Sequence, residues 1–239
     1  LDLVKTDRSG LSQLDATDMR DVTDAINQIQ ATPWAVNTKV LAVLDFLNTL
    51  GGDVAGLTSS VIPDLPVKPW GELEDDAWEA FRTDPANATI VKEYKRDAAR
   101  IYQARVKWTS KRLVQQQQIT IAERFKDEDA IYFPHTCDYR GRIYPAAGLG
   151  SVNPQGNDAG KALLQFARGK ALGETGAAWL AIHCANVWGT DKVSMDDRIL
   201  WSHMNADMML ACAADPMANN RWMDADKPLQ FLAACYEWE

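Results

Sequence analysis

Between Pro85 and Pro134 the chain contains neither glycine nor proline. These two residues interrupt helices most readily, one through backbone freedom and the other through its missing amide donor. The spacing predicts a helix from about Thr89 to Phe125, on the order of 50 Å long at ~1.5 Å per residue and much longer than a usual globular helix. The Gln115–Gln118 run supplies no apolar anchor, so one bend or break within the span is allowed for. At ~100° per residue, Lys92, Arg96, Arg100, Lys107 and Lys111 fall in one arc, with Tyr94, Ala98, Ile101 and Trp108 opposite. One face is basic and the other can bury itself.

The charge on that face stands out against the rest of the chain. The formal net charge is -8, yet Lys92 to Leu113 holds eight basic residues against Glu93 and Asp97, which makes it +6 and leaves -14 elsewhere. A solvated helix face usually mixes both signs, whereas a single-sign stripe is the electrostatic footprint of a polyanion contact. From the residues alone both readings stay open.

Forty-six per cent apolar residues and nine Trp exclude a disordered chain. No apolar run approaches the roughly 18–20 residues of a membrane-spanning helix, and no basic segment followed by an apolar one opens the sequence. The chain starts at Leu1 rather than Met and stops at Glu239 within a helical pattern, which reads as an excerpt or a processed piece. Cys137, Cys184, Cys212 and Cys235 are at least 23 residues apart, so neither paired zinc spacing nor a disulfide framework is present, and they are expected to be reduced core thiols. His135, His183 and His203 are equally scattered and suit structural roles.

The fold class expected is mainly α. Met19, Val22, Ile26 and Ile29 predict a helix over Asp18–Gln30 with Thr17 as N-cap. Thr32-Pro33 predicts a second, capped by the threonine and ended by Gly51-Gly52, the two forming a hairpin. Pro63, Pro66, Pro69 and Gly71 mark a surface connection between Asp53 and Pro85. Ala130–Phe133 and Ile143-Tyr144 are β-prone runs around a polar turn, and Gly148, Gly150, Pro154 and Gly156 make a loop. Helices are then expected over Asp158–Ala167, Glu174–Trp188, Ser194–Ala214 and Pro228–Trp238.

Two motifs could carry chemistry. Gly156-Asn157-Asp158-Ala159-Gly160-Lys161-Ala162 suggests a phosphate loop, but its glycines are one residue too close and Ala162 stands where Ser or Thr is needed, so an ATPase is rejected. Asp138-Tyr139-Arg140-Gly141-Arg142-Ile143-Tyr144 sets two guanidiniums around a glycine, a suitable grip on phosphate or sugar, with Tyr144 able to stack. An Arg–Asp pair bracing a turn fits the same residues.

The run from Tyr132 to Lys170, with its Asp-x-x-Gly-Arg element and Asn153-Pro154-Gln155-Gly156-Asn157 loop, resembles the single-subunit DNA-directed RNA polymerases of phage and mitochondrial type. So do Trp34–Val43, Trp179–Asn186 and Phe231–Glu237, in one order along nearly the whole chain. The resemblance implies the end of an N-terminal domain over 1–42, a helical thumb with the long basic helix over 43–128, a short β-containing start of a palm over 129–168, and a helical palm insertion over 169–239. It implies contacts to DNA template and RNA–DNA hybrid through Asp138, Arg140, Gly141, Arg142 and Tyr144, through Lys161, and through Lys107, Lys111 and Arg112 of the thumb. The loop from Pro145 to Val152 departs from the phage form, being longer and richer in Gly.

By the same resemblance the parent enzyme is a nucleotidyltransferase that uses nucleoside triphosphates and Mg²⁺, phage-encoded and acting in host cytoplasm rather than in the mitochondrial matrix. Its metal-binding aspartates, fingers Lys and nucleotide-selecting Tyr belong to motifs beyond the point matching Glu239, so this chain alone is expected to be inactive, with no catalytic or metal residues of its own. A subunit of a split polymerase needing a second chain, or a non-catalytic helical nucleic-acid-binding module, are the alternatives.

Overall fold

A computed structural model describes residues 4–5, 18–146 and 152–239. In chain order they form β1 (Val4–Lys5), α1 (Arg20–Gln30), β2 (Trp34–Val36), α2 (Thr38–Thr49), α3 (Asp75–Thr83), α4 (Ala88–Phe125), β3 (His135–Asp138), β4 (Ile143–Pro145), α5 (Asp158–Ala162), β5 (Leu164–Phe166), α6 (Gly173–Trp188), α7 (Met195–Met204), α8 (Ala206–Ala214) and α9 (Pro228–Trp238). The fold is mainly helical, as expected. Its strands make two small sheets: β3 pairs antiparallel with β4 and parallel with β1, and β2 pairs antiparallel with β5.

The long helix α4 is unbroken. The glutamines expected to weaken it are instead its polar anchors. Gln115 and Gln118 are buried; Gln115 accepts from the Thr58 amide (2.8 Å) and donates to Asn48 (3.0 Å), while Gln118 donates to Asn157 (2.6 Å). Side-chain amides can satisfy both donors and acceptors where apolar packing cannot reach, which periodicity does not reveal. Near its start α4 instead leans on α3 and the residues before it, where Trp70 stacks on Trp78 (4.5 Å) and meets Phe81 and Tyr94. The connection between Asp53 and Pro85 thus contains a nine-residue helix, α3, that its proline content conceals.

Several other expectations are corrected. Thr32-Pro33 does not start a helix: Trp34–Val36 is a strand, and Asn37 caps α2 by accepting from the Val40 amide at 3.1 Å. The intervening strand prevents a helical hairpin, and α1 packs on β3 through Ile26 and Cys137. Gly51-Gly52 does end α2; a Cβ at Gly52, which has φ +70°, would lie 2.5 Å from the Thr58 carbonyl oxygen. The hairpin begins at His135, not Ala130, and Ile131 makes a single bridge to Trp34. The helix expected over Asp158–Ala167 stops at Ala162 because β5 is recruited by β2, and the one expected over Ser194–Ala214 divides at Asn205. Thr17 and most of the Pro145–Val152 loop lie outside the described residues.

The main core centres on α9, whose Leu229, Phe231, Leu232 and Cys235 are buried against α2, α5, α6 and α8. Burial pushes the Cys184 thiol up to about 12 and raises those of Cys212 and Cys235, as expected of free core thiols. Lys227 precedes α9 and offers no side-chain cap. The cap comes from Asp158, 71 residues upstream, which accepts from the Leu229 amide (2.9 Å), the Gln230 amide (3.1 Å) and the Gln230 side chain (3.0 Å). A carboxylate there satisfies orphan donors and faces the positive end of the helix dipole.

Asp158→Ala should therefore cost about 1–3 kcal/mol, with Asp158→Asn intermediate because one acceptor oxygen remains. Thermal unfolding of the 239-residue chain checks this, at roughly 2–4 °C of Tm per kcal/mol; an unchanged Tm in the Ala variant would rule out the clamp.

Candidate nucleic-acid interface

The Arg-Gly-Arg turn is built around one carboxylate. Asp138 closes β3, and its Oδ1 accepts from the Arg140 and Arg142 amides at 2.9 and 3.0 Å. Its Oδ2 receives the Arg142 Nε at 2.9 Å and the Arg140 Nε at 3.3 Å. Gly141 takes φ +79°, a left-handed conformation open to glycine without strain. The Asp138 side chain is only 17% exposed, whereas the side chains of Arg140 and Arg142 remain more than half exposed. The turn is braced as the plainer reading requires, yet both arginine side chains stay open to solvent.

Each guanidinium also lies near a ring: Arg140 is 5.4 Å from the Tyr139 centroid and Arg142 is 5.8 Å from that of Tyr144. Partial burial acts to raise the Asp138 carboxyl, but hydrogen bonds from the Arg142 backbone and side chain, with its charge, outweigh it and hold the group below the usual carboxylate range. Asp138 thus positions the arginines and keeps its charge at neutral pH. Behind the turn, Gln155 donates to the Ile143 carbonyl at 3.1 Å, tying the Asn-Pro-Gln-Gly-Asn loop to β4.

On α4 the predicted faces are realised. Lys92, Lys95, Arg96, Arg100, Lys107 and Lys111 are exposed, while Ala98 is buried and Tyr94, Ile101 and Trp108 are partly so. Arg96 and Arg100 share Asp97. Among the described residues no carboxylate lies within ion-pairing distance, 4.0 Å, of Lys92, Lys95, Arg105, Lys107 or Lys111. Arg112 differs from its neighbour: it is half-buried and donates to the Thr58 carbonyl at 3.4 Å, beside the Trp108 bond to Ser59 at 2.9 Å. It secures the 53–74 segment against the helix.

Lys161 is exposed on α5 and lines a cleft of about 1020 Å³ between the β2–β5 ladder, α6 and α9. Arg168, Lys170 and His183 share its walls. Desolvation against the cleft wall, followed by the charge of Lys227, holds His183 below its ordinary value. Among the described residues no group of three or more His, Cys, Asp or Glu side chains could hold a metal ion, and no helix is long and apolar enough to cross a membrane.

Comparison with known proteins shows what the chain is similar to. The chain is 39% identical over its whole length to the DNA-directed RNA polymerase of Enterobacteria phage T3, and 35% to T7 RNA polymerase of Escherichia phage T7. The chain is thus similar to the single-subunit, phage-type RNA polymerases. The organellar branch matches as well: 32% identity over 97% of the chain with DNA-directed RNA polymerase 2, chloroplastic/mitochondrial, of Arabidopsis thaliana. A family model described as DNA-dependent RNA polymerase matches residues 170–239, covering α6 to α9. The chain spans about a quarter of these relatives, 26% of the two phage polymerases and 22% of the plant one.

Of the residues singled out in this polymerase relative, the structure joins Asp138, Arg140, Gly141, Arg142 and Tyr144 in one turn. It sets Lys107 and Lys111 on the α4 face and Lys161 in the cleft, making three cationic surfaces. Sequence reasoning missed Phe166, Arg168 and Lys170. Phe166 closes β5, inside a stretch that reads as a helix, and Arg168 and Lys170 follow in the irregular segment after the strand, where no local pattern marks them.

Because the Asp138 carboxyl is depressed, its bracing contribution is present above the ordinary aspartate range of about 3.9 and is lost as pH falls through the lower folded value. Carboxyl-resolved NMR titration should place Asp138 below an unstructured Asp, and Arg142→Ala should move its midpoint upward. An unmoved midpoint would show that Arg142 does not hold the carboxylate.

Proposed function

We propose that this chain is the nucleic-acid-holding part of a template-directed RNA polymerase, gripping DNA template and RNA–DNA hybrid by their backbones. The observation that carries the reading is the exposed lysine face of α4, left without carboxylate partners among the described residues in a chain that is otherwise -14. A surface of one sign, kept out of ion pairs by the fold, is suited to a polyphosphate and releases counterions when it binds one. The kinship with phage and organellar polymerases supplies the polymer's identity.

In this reading α3 and α4 are the thumb, over 43–128. The β3–β4 turn and α5 open the palm, over 129–168, and α6 to α9 form its insertion, over 169–239. The chain up to residue 42 closes an N-terminal domain. Arg140 and Arg142 present their forks to phosphates while Asp138 fixes their direction, and Tyr144 flanks them. Arg112 assists Lys107 and Lys111 indirectly, by holding the segment beneath them.

The chemistry proposed for the parent enzyme is nucleotidyl transfer from nucleoside triphosphates with divalent metal. In this reading the part's contribution is to hold the polymer in place, which lowers the entropic barrier to reaction. The phage T3 and T7 relatives support a phage-encoded enzyme acting in the host cytoplasm.

Two measurements on a catalytically complete polymerase carrying this sequence test the reading. Lys107→Ala and Lys111→Ala should shorten elongation-complex lifetime to similar extents on unrelated templates, since backbone contacts carry no sequence information; a defect that follows template sequence would contradict backbone holding. Arg142→Ala should weaken hybrid binding and lower its salt slope by roughly 0.7–1, with Arg142→Lys recovering only part because a point charge lacks the planar fork. If the folded Ala variant melts earlier but keeps affinity and slope, Arg142 only braces the turn.

A further inference from the structure

The cleft beside α5 contains more than cations. Phe166 stacks on Trp34, with centroids 4.7 Å apart and planes 27° from parallel, and remains 65% exposed. Trp34 is held in turn by the β2–β5 ladder and by backbone bonds in both directions with Ile131, at 2.9 and 2.7 Å. The platform is therefore fixed from behind and open in front. Lys161, Arg168 and Lys170 line the same cleft and are exposed, and among the described residues none lies within 4.0 Å of a carboxylate. Glu237 is the single acidic residue of the lining.

We propose that this cleft binds one or two single-stranded nucleotides, with a base stacked on Phe166 and phosphates held by Lys161, Arg168 and Lys170. The aromatic platform decides the ligand class. A duplex or hybrid keeps its bases stacked inside and presents only backbone, whereas a free nucleotide or a single strand offers a planar face, and base stacking on an aromatic ring is independent of sequence. The cleft's volume, about 1020 Å³, suits a small ligand or short strand rather than a helix of two strands. An acidic peptide would satisfy the cations but would leave the platform without its matching flat group.

The inference rests on the nucleic-acid reading for the kind of polymer and on the cleft alone for the place. The cleft and α4 are separate surfaces, so the two ideas fail separately.

The 239-residue chain is titrated with a fluorescein-labelled single strand of six deoxythymidines, with AMP, inorganic phosphate and polyglutamate as competitors and an RNA–DNA hybrid as a second ligand. The strand should bind, and AMP should displace it better than phosphate or polyglutamate does. Phe166→Ala should weaken it roughly 5- to 100-fold while Phe166→Tyr keeps most of the affinity. Arg168→Ala and Lys170→Ala should each lower the salt slope by about 0.7. Phe166 is exposed, so circular dichroism should confirm an intact fold in every variant.

Lys107→Ala with Lys111→Ala should weaken the hybrid while leaving the Phe166-dependent part of strand binding in place. Phe166-dependent binding of AMP alone would assign the cleft to free nucleotides, and of the strand alone to a polymer; either supports the proposal. No binding, equal binding by wild type and Phe166→Ala, or displacement by polyglutamate as effective as by AMP would overturn it. Loss of hybrid binding in the α4 variants beside an inert cleft would sink this inference and spare the broader one.

Discussion

The architecture depends on a short polar chain of contacts. Gln118, buried on α4, donates to Asn157; Asn157 caps α5 through the Gly160 amide at 2.9 Å; the next residue, Asp158, caps α9. Three helices that share no sequence neighbourhood are thereby fixed at their ends by two adjacent side chains. Each bond is worth only about 1 kcal/mol net, but leaving any of these partly buried groups without a partner costs more than its bond contributes. The register of the core is consequently stringent: α9 can bury Phe231 and Leu232 in one place only, where its first amides meet Asp158.

That anchoring explains how a long helix can present a charged face. The root of α4 is held by amides and by Ile119 and Ala122 in the core, so the outer part needs little support beyond its contacts with α3 and with the 53–74 segment. It is free to carry exposed lysines. The Arg-Gly-Arg turn solves the same problem on a smaller scale: one carboxylate, held by backbone amides, orients two guanidiniums without neutralising all their donors. Where α4 spreads charge along a rod, the turn concentrates it at a point.

Local signals made much of this legible. The long helix, its two faces, the glycine stop after α2, α6 and α9 all follow from periodicity and from the positions of glycine and proline. The misreadings share one cause. Trp34–Val36 and Leu164–Phe166 are only three residues each, too short to display a strand pattern, and each becomes a strand because the other is there to pair with it. The stretches after Thr32-Pro33 and after Ala162 suit a helix only for want of that partner. Asn205 divides α7 from α8 although the apolar spacing runs through it, and α3 exists among prolines because Trp70, Trp78 and Tyr94 can cluster on α4.

For the candidate site the division follows the same line. The sequence by itself determined the rod and its stripe of charge, because helix spacing converts directly into angle around an axis. It also determined the Asp138–Tyr144 turn, whose bonds all span four residues or fewer. Only the tertiary structure decided whether the lysines would be neutralised, since an ion pair depends on which distant carboxylates come near. It also decided that Lys161, Phe166, Arg168 and Lys170 line one cleft beneath α9, because that cleft exists only once β2 and β5 have paired. Contacts within a turn of helix or a tight bend are dictated by covalent geometry, whereas contacts between segments more than a hundred residues apart wait on the whole core to choose its partners.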